Sequence, residues 1–210
     1  VTSDTSSNKL FENLGNMIMQ DITVSSGILT DVMETYGASW GDYNNDGFLD
    51  IFISNRDDNL VQPNLLFLND QDGTFTDISV SAGIHTSSHL SFCSAFFDFN
   101  NDGLEDLFFV SNQNRNELYI NKGRLKFENI TESSGILGSS DWNTGVTTAD
   151  INGDGFMDIY VCGVAKFNGL ESSNELYINN GDLTFTESAS DYGLDFKTYA
   201  TQASFFDYDH

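Results

Sequence analysis

Short apolar runs alternate with polar turns along the whole chain. The runs 94–97 and 203–206 precede a polar, acidic stretch, and the runs 51–53, 107–110 and 159–161 follow such a stretch. These runs are short, rich in β-branched and aromatic residues and bounded by turn residues, which is typical of strands. The acidic stretch is therefore predicted to be a loop that joins two strands, and no segment shows a convincing helical pattern.

A second element also recurs, and it spans 19 positions each time. It carries a Leu-aromatic pair or its equivalent near the start, Asn at the fourth place and Gly-Ile or Gly-Leu at the end. In one copy, the apolar run 118–120 is followed by a turn at 121–123 and then by the segment 126–130, which predicts a β-hairpin. The copies are 10–28, 66–84, 118–136 and 176–194.

The two elements together form an internal repeat. The acidic stretch begins at Asp42, Asp98, Asp150 and Asp207, so the repeat is about 55 residues long, close to known propeller blades. Two hairpins per repeat give four antiparallel strands, which predicts an all-β chain of β-propeller blades. We expect one domain over 1–210, divided into a half-blade at 1–28, blades at about 29–84, 85–136 and 137–194, and the start of a further blade at 195–210.

The composition is strongly acidic: 32 Asp and Glu against 8 Lys and Arg give a formal net charge of −24. Binding of nucleic acid or of an anionic membrane surface needs clustered Lys and Arg, so both partner classes are excluded. No apolar run reaches the about 18 residues of a membrane span, so membrane insertion is not expected. The chain has 39 % hydrophobic residues, including 18 Phe, which is enough for a packed core.

Part of the acid lies in the repeated loop Asp-x-Asn-x-Asp-Gly-x-x-Asp. Oxygens at positions 1, 3 and 5 of a tight loop converge, Gly at position 6 lets the backbone turn back, and a carbonyl at position 7 and a carboxylate at position 9 add oxygens. Hard oxygen donors without Cys or His favour Ca²⁺ over zinc or copper. The predicted ligands are Asp42, Asn44, Asp46, the Phe48 carbonyl and Asp50; Asp98, Asn100, Asp102, the Leu104 carbonyl and Asp106; and Asp150, Asn152, Asp154, the Phe156 carbonyl and Asp158.

These loops are not helical calcium loops, which need an acidic residue at position 12. That position holds Ile53, Phe109 and Val161, which all lie in predicted strands. A fourth copy supplies only Asp207 and Asp209, at positions 1 and 3. The sequence therefore predicts three complete calcium sites and a fourth, partial one.

The motif and the apolar strand that follows it resemble the FG-GAP and VCBS repeats, which form calcium-loop blades of the integrin α-subunit kind. The closing segments 127–131 with 134–136, and 75–78 with 82–84, are similar to repeats of secreted proteins related to cartilage acidic protein. The resemblance implies a ring of about seven blades, calcium in the loops, and a role in extracellular adhesion. Three complete repeats are too few for such a ring, so we expect the chain to be a piece of a larger propeller whose terminal halves do not pair.

Other candidate groups are weighed against simpler interpretations. His85 and His89 are spaced as a helical metal pair would be, but they lie in a predicted loop, which does not favour metal binding. Cys93 and Cys162 lie in or beside strands of neighbouring repeats, where buried free thiols are favoured and a disulfide is the alternative. No recognised catalytic motif is present, so the chain is predicted not to be an enzyme.

The resulting hypothesis is a secreted or cell-surface propeller segment that acts in adhesion or assembly, with calcium in a structural role. Its partner would be a protein or glycan ligand at the cell surface or in the matrix. Two alternatives stay open on the same scaffold. One is a lectin or a polysaccharide-active enzyme such as a lyase. The other is a protomer of an extracellular filament, because open blade ends offer unpaired strand edges for self-assembly.

Overall fold

The computed structural model describes residues 7–28, 34–56, 63–84, 91–111, 115–138 and 141–207. Almost all regular structure in these ranges is β-strand, as the sequence predicts. The strands, in chain order, are β1 Phe11–Asn13, β2 Met19–Asp21, β3 Glu34–Gly41, β4 Asp50–Arg56, β5 Leu65–Asn69, β6 Phe75–Asp77, β7 Ser91–Phe97, β8 Asp106–Ser111, β9 Glu117–Asn121, β10 Phe127–Asn129, β11 Asn143–Ala149, β12 Asp158–Gly163, β13 Glu175–Asn179 and β14 Phe185–Glu187.

The strands form three four-stranded antiparallel sheets in chain order, β3 to β6, β7 to β10 and β11 to β14, and a two-stranded sheet of β1 and β2. This is the architecture of propeller blades, and it confirms the predicted fold class. We refer to the three larger sheets as blades A, B and C. Each blade lies within one of the predicted segments, while the boundaries themselves stay predictions.

The second strand of each blade is buried on both faces. All six residues of Asp106–Ser111 and of Asp158–Gly163 are buried, whereas the outermost strands present exposed residues. Burial on both faces explains why these strands appear in the sequence as continuous apolar runs rather than as alternating patterns.

Successive residues of the buried strand β8 pack into different blade interfaces, because neighbouring side chains of a strand point to opposite faces. Phe109 of β8 packs toward blade A, where its ring centroid lies 5.8 Å from that of Phe52 in β4. The preceding residue, Phe108, belongs to a hydrophobic cluster with Ile159 and Tyr177 of blade C. The core is therefore a series of layers between blades, and β8 contributes to two of them.

Two single-turn helices follow the outermost strands, α1 Ser79–Ala82 and α2 Thr131–Ser134. The sequence pattern did not predict them, because one turn is too short to show a helical period. Each is preceded by a side-chain oxygen that accepts a backbone N–H: Asp77 Oδ1 from Ser79 at 2.9 Å, and Asn129 Oδ1 from Thr131 at 3.0 Å. Across the described ranges, no helix is long and apolar enough to cross a membrane.

The residues after blade C lie along β11 without forming a strand ladder, although 203–206 was predicted as a strand. Thr144 Oγ1 donates a hydrogen bond to the Ala200 carbonyl at 2.8 Å, and Tyr199 forms a single bridge with Val164. A β-strand pairs with its neighbour through consecutive backbone hydrogen bonds, whereas this segment makes only isolated ones. In the described residues, β1 and β2 pair only with each other. That the terminal halves of the chain stay unpaired remains a prediction.

Candidate metal centres in the blade loops

Each repeated loop begins where the first strand of its blade ends and finishes at the first residue of the second strand. The Asp at position 1 accepts two backbone hydrogen bonds from across the loop. Asp42 Oδ1 accepts the Asp46 N–H at 3.0 Å, and Asp42 Oδ2 accepts the Gly47 N–H at 2.9 Å. Asp98 and Asp150 make the same pair of bonds, at 3.1 and 2.8 Å and at 3.1 and 2.9 Å.

The side chains at positions 3 and 5 are also brought together. Asn44 Oδ1 accepts the Asp46 N–H at 3.1 Å, and Asn44 Nδ2 donates to Asp46 Oδ2 at 2.9 Å. Asp46 Oδ1 in turn accepts the Phe48 N–H at 2.9 Å. We name the three loops A, B and C after their blades. Loop B repeats this arrangement with Asn100 and Asp102, and loop C repeats it with Asn152 and Asp154. The structure thus places positions 1, 3 and 5 side by side in all three loops.

Left-handed backbone at positions 4 and 6 makes this tight path possible. Position 4 has φ of 56° at Asn45 and Asn101 and 74° at Gly153. The glycines at position 6 have φ of 88°, 87° and 90° in loops A, B and C. Only Gly, and less readily Asn, adopts such φ without a large steric cost. The residue types of the motif therefore follow from the loop backbone as well as from its oxygens.

The Asp at position 9 is buried in every blade, with no exposed surface at Asp50, Asp106 or Asp158. One oxygen of each accepts the N–H of the last residue of the third strand; for Asp50 this is Asn69, at 2.8 Å. Asp106 Oδ2 and Asp158 Oδ2 also accept a backbone N–H, at 3.0 and 2.8 Å. Asp50 Oδ2 is buried and makes no well-formed hydrogen bond, although the Tyr43 N–H interacts with the carboxylate.

Burial raises the pKa of Asp50 and of Asp106 to about 7, and repulsion from the other loop carboxylates adds to the rise. The pKa of Asp158 is raised for the same reasons. A buried carboxylate is costly unless a hydrogen bond or an opposite charge offsets it. A divalent cation would therefore stabilise the charged form of the position-9 carboxylates. The other candidate ligands of each loop are also oxygens.

The carboxylates of one loop are turned onto backbone amides rather than onto a common point. Accordingly, no group of three or more His, Cys, Asp or Glu side chains in the described ranges is arranged to hold a metal ion. Asp207, of the partial fourth loop, is exposed, while Asp209, His85 and His89 lie outside the described residues. Calcium binding by any of these loops stays a prediction.

The two cysteines are free thiols, with Cys162 buried and Cys93 half-buried. Burial raises the pKa of Cys162 to about 11 and raises the pKa of Cys93 as well. The favoured interpretation of the sequence was free thiols, and the geometry agrees with it.

Sequence reasoning missed several residues around the loops. Gln71, in the turn between β5 and β6, donates to Asp46 Oδ2 at 2.9 Å. Glu105 extends from loop B toward blade A, where its Oε2 is buried and would lie 2.6 Å from a Cβ placed on Gly41. In blades A, B and C, the Asn at the fourth place of the 19-residue element ends the third strand and contacts the loops. Its recurrence was visible in the sequence, but its role was not.

Comparison with known proteins agrees with this architecture. The sequence model of the FG-GAP-like repeat matches residues 42–109 and 98–161, which together cover more than half of the chain. Cartilage acidic protein 1 of Homo sapiens is 28 % identical over 166 residues, and that of Mus musculus is 27 % identical over 166 residues. Each alignment covers 78 % of this chain and 24 % of the relative, so the chain spans about a quarter of the length of these relatives.

Proposed function

The chain belongs to the FG-GAP-like repeat family, and from this membership together with the three loops we propose that it is a calcium-stabilised segment of an extracellular β-propeller. The calcium is structural in this proposal: it is held in the loops that join the first and second strands of blades A, B and C. The protein acts in adhesion or assembly and is not an enzyme.

The buried carboxylate at position 9 is the observation that carries the proposal. Asp50 Oδ2 is buried and makes no well-formed hydrogen bond, although the Tyr43 backbone N–H interacts with the carboxylate and lowers its pKa. Burial and the nearby Asp46 and Asp42 carboxylates act in the opposite direction and raise that pKa. A buried carboxylate beside two further carboxylates calls for a cation. All donors in the loop are oxygens, which suits calcium, and their number exceeds what magnesium usually takes from a protein.

The residues that would hold the ion are those of the motif. In loop A these are the side chains of Asp42, Asn44, Asp46 and Asp50 and the carbonyl of Phe48, with matching sets in loops B and C. When bound, the ion would offset the repulsion among three carboxylates. The loop residues would then keep the ends of β3 and β4 in the register at which Gly41 pairs with Asp50.

An extracellular location fits both the charge and the family. Calcium loops of extracellular modules bind with dissociation constants of about 10⁻⁴–10⁻³ M, which suits a compartment rich in calcium. The net charge of −24 keeps the chain soluble, and bound calcium would lower it. The named relatives, cartilage acidic protein 1 of human and mouse, support assignment to a matrix or cell-surface setting.

Titration calorimetry of the chelated chain with Ca²⁺ tests the proposal. We expect about three ions per chain, and the heat of one site should disappear in Asp102→Asn, because loop B then lacks its position-5 carboxylate. Gln20→Ala, a change of an exposed residue in β2, serves as a control and should leave the stoichiometry unchanged. Absence of calcium uptake by the wild-type chain at millimolar concentration would contradict the proposal.

A second candidate function, glycan binding, is favoured by one specific feature. A row of five aromatic side chains crosses the three blades. Tyr36, Phe92 and Trp142 lie at or beside the ends of the first strands opposite the loops, Phe167 lies between β12 and β13, and Tyr199 lies after blade C. Tyr36 stacks on Phe92 at 4.6 Å, and the other neighbouring ring centroids are 5.5–6.4 Å apart. Phe167 and Tyr199 are exposed, whereas the indole N–H of Trp142 is buried without a hydrogen-bond partner. Exposed aromatic faces offer apolar surface on which a sugar ring can stack, and the Tyr199 hydroxyl adds a polar edge.

Glycan-array binding combined with a lyase assay separates the candidates. If the row binds glycans, Phe92→Ala should remove the array signal, whereas Phe48→Ala, on the loop side, should keep it. Release of unsaturated sugar products would instead indicate a polysaccharide lyase. A wild-type chain that binds no glycan leaves the adhesion proposal with a protein partner.

A further inference from the structure

The loops of neighbouring blades are joined directly by side-chain amides. Asn45, at position 4 of loop A, donates its Nδ2 hydrogen to the carbonyl of Gly103, at position 6 of loop B. Asn101, at position 4 of loop B, donates in the same way to the carbonyl of Gly155 in loop C, at 3.0 Å. Loop A is thus hydrogen-bonded to loop B, and loop B to loop C.

A second set of asparagines joins the same loops from below. Asn121, at the end of β9, donates to the Tyr43 carbonyl of loop A at 2.6 Å and to the Glu105 carbonyl of its own loop at 3.0 Å. Asn179, at the end of β13, donates to the Phe99 carbonyl of loop B at 2.9 Å and to the Met157 carbonyl of its own loop at 3.3 Å. Both side chains are 1 % exposed, so water competes little for these bonds.

All of these bonds end within the span of the predicted ligands. Gly103 and Gly155 lie between the ligands at positions 5 and 7, and Tyr43 and Phe99 lie between those at positions 1 and 3. A movement of one loop backbone therefore changes the position of ligand-bearing peptides in its neighbour. The interface of blades A and B has one more contact, because the Asp42 N–H also bonds the Glu105 carboxylate and lowers its pKa, which burial otherwise raises.

Two positions in the same chain lack the connection and serve as natural comparisons. Loop C has Gly153 at position 4, where loops A and B have asparagine, and glycine has no side chain to donate. Asn69, the counterpart of Asn121 in blade A, donates its Nδ2 hydrogen to Leu49 of its own loop at 3.0 Å. The fold therefore accepts both residue types at position 4, and asparagine is not needed there for the loop backbone alone.

We propose that Asn45, Asn101, Asn121 and Asn179 are positioning residues that couple cation binding between neighbouring loops, so that an ion held in one loop raises the affinity of the next. This inference rests on the proposed function, since it takes the loops to be cation sites. The physical reason is that binding orders a loop at an entropic cost. A loop whose carbonyls are already fixed by an ordered neighbour has less disorder to lose.

The effect can be measured at a single loop with terbium as the probe. Tb³⁺ binds oxygen ligands much as calcium does, and its luminescence is excited through a nearby tyrosine. Tyr43 occupies position 2 of loop A. The part of the luminescence that Asp42→Asn removes from the chelated full chain is assigned to loop A. Its half-saturation concentration is then compared with and without Asp98→Asn, which disables loop B.

In the wild-type background, disabling loop B should weaken Tb³⁺ binding at loop A about fivefold or more, the lower range of typical coupling between sites. With Asn45→Gly, that factor should fall by half or more. This change alters no charge, so electrostatic effects between the sites are the same in both backgrounds. Asn16→Gly is the matched control, because Asn16 has φ of 49° in the turn between β1 and β2, and it should preserve the full factor.

Each outcome bears on a different part of the proposal. Equal factors in the wild-type and Asn45→Gly backgrounds, or loops that fill independently in the wild type, would overturn the coupling and leave the cation sites standing. If no variant takes up Tb³⁺ or Ca²⁺, the coupling and the proposed function both fail. Melting curves of all variants in chelator establish that the folded chain is being compared.

Discussion

Asp50 accepts a 2.8 Å hydrogen bond from the backbone N–H of Asn69 on the adjacent strand, while its second oxygen is buried and makes no well-formed hydrogen bond. The Tyr43 N–H interacts with this carboxylate and lowers its pKa. In blade C the equivalent Asp158 has both oxygens satisfied, by the N–H groups of Asn179 and Ile151, each at 2.8 Å. The same residue at the same position of the repeat therefore has one oxygen without a well-formed hydrogen bond in blade A and none in blade C.

This difference predicts opposite effects of one substitution. Asp50→Asn keeps the oxygen that faces Asn69 and places the NH₂ group at the oxygen that makes no well-formed hydrogen bond. It therefore removes a buried negative charge beside Asp42 and Asp46 and weakens only the interaction with the Tyr43 N–H. In chelator we expect Tm to rise by about 3 °C, which corresponds to about 1 kcal/mol for a chain of this size. In calcium, the stabilisation from loop A should be lost.

The matched change Asp158→Asn should lower Tm in chelator, because the new NH₂ group would face the Ile151 N–H or leave the Asn179 N–H without an acceptor. Circular dichroism melting in chelator and in calcium measures both variants. Equal effects of the two substitutions in chelator would contradict this view of the buried oxygens.

Removal of calcium should destabilise the whole chain. An ion that binds only the folded state stabilises it by mass action, and one site at about 100 times its dissociation constant contributes about 2.7 kcal/mol. For a chain of this size that is about 5–10 °C in Tm per site. Differential scanning calorimetry with increasing Ca²⁺ measures the shift, with Mg²⁺ as the matched ion. An unchanged melting curve in excess chelator would rule out a structural role for calcium.

The effect of pH should differ between the metal-free and the calcium-bound chain. Folding raises the pKa of Asp106 from 3.8 to about 7, so without metal the folded state holds a proton that the unfolded state has released. That stabilisation is complete below pH 3.8 and is lost as pH rises through 7. In chelator, this group therefore makes Tm fall between pH 4 and pH 7.

In saturating calcium the trend from the loop carboxylates should reverse, because the ion binds their deprotonated form. Melting curves at several pH values, each with chelator or with calcium, show both trends. Parallel curves under the two conditions would contradict the assignment of position 9 as a ligand.

The interface between blades A and B depends on stacked aromatic rings. Phe52 is fully buried, and its ring centroid lies 5.8 Å from that of Phe109 and 6.2 Å from that of Phe96. Phe52→Ala removes these contacts and leaves a cavity, so we expect a loss of about 3–5 kcal/mol. Urea unfolding measures the loss. The control Val80→Ala, at a side chain that is 75 % exposed, should change stability by about 0.5 kcal/mol or less.

The thiols should be unreactive in the folded chain. Burial keeps the pKa of Cys162 at about 11 and raises that of Cys93, so little thiolate forms at neutral pH, and thiolate is the reactive form. Titration with an aromatic disulfide reagent should detect two thiols quickly in denaturant and slowly, if at all, in its absence. Absence of free thiol in the denatured chain would show instead that the two cysteines form a disulfide.

The strands and loops of the repeat could be predicted from the sequence because their determinants are local. The apolar run of β8, the left-handed Asn101 and Gly103 and the oxygens of Asp98 and Asp102 all lie within one short stretch. Each follows from rules that connect a residue to its immediate neighbours. Repetition at the same phase then multiplied a signal that is weak in a single copy.

What the tertiary structure alone decided involves residues far apart in the chain. The pattern of β8 shows that Phe108 and Phe109 are both buried, but only the packed blades assign one to the interface with blade C and the other to that with blade A. The bond from Asn121 to Tyr43 joins residues 78 positions apart, and the burial of the Asp50 oxygen depends on how blade A is packed. The sequence determined the blades, because hydrogen bonding within a hairpin is local, whereas the contacts that join one loop to the next arise only when separate blades pack together.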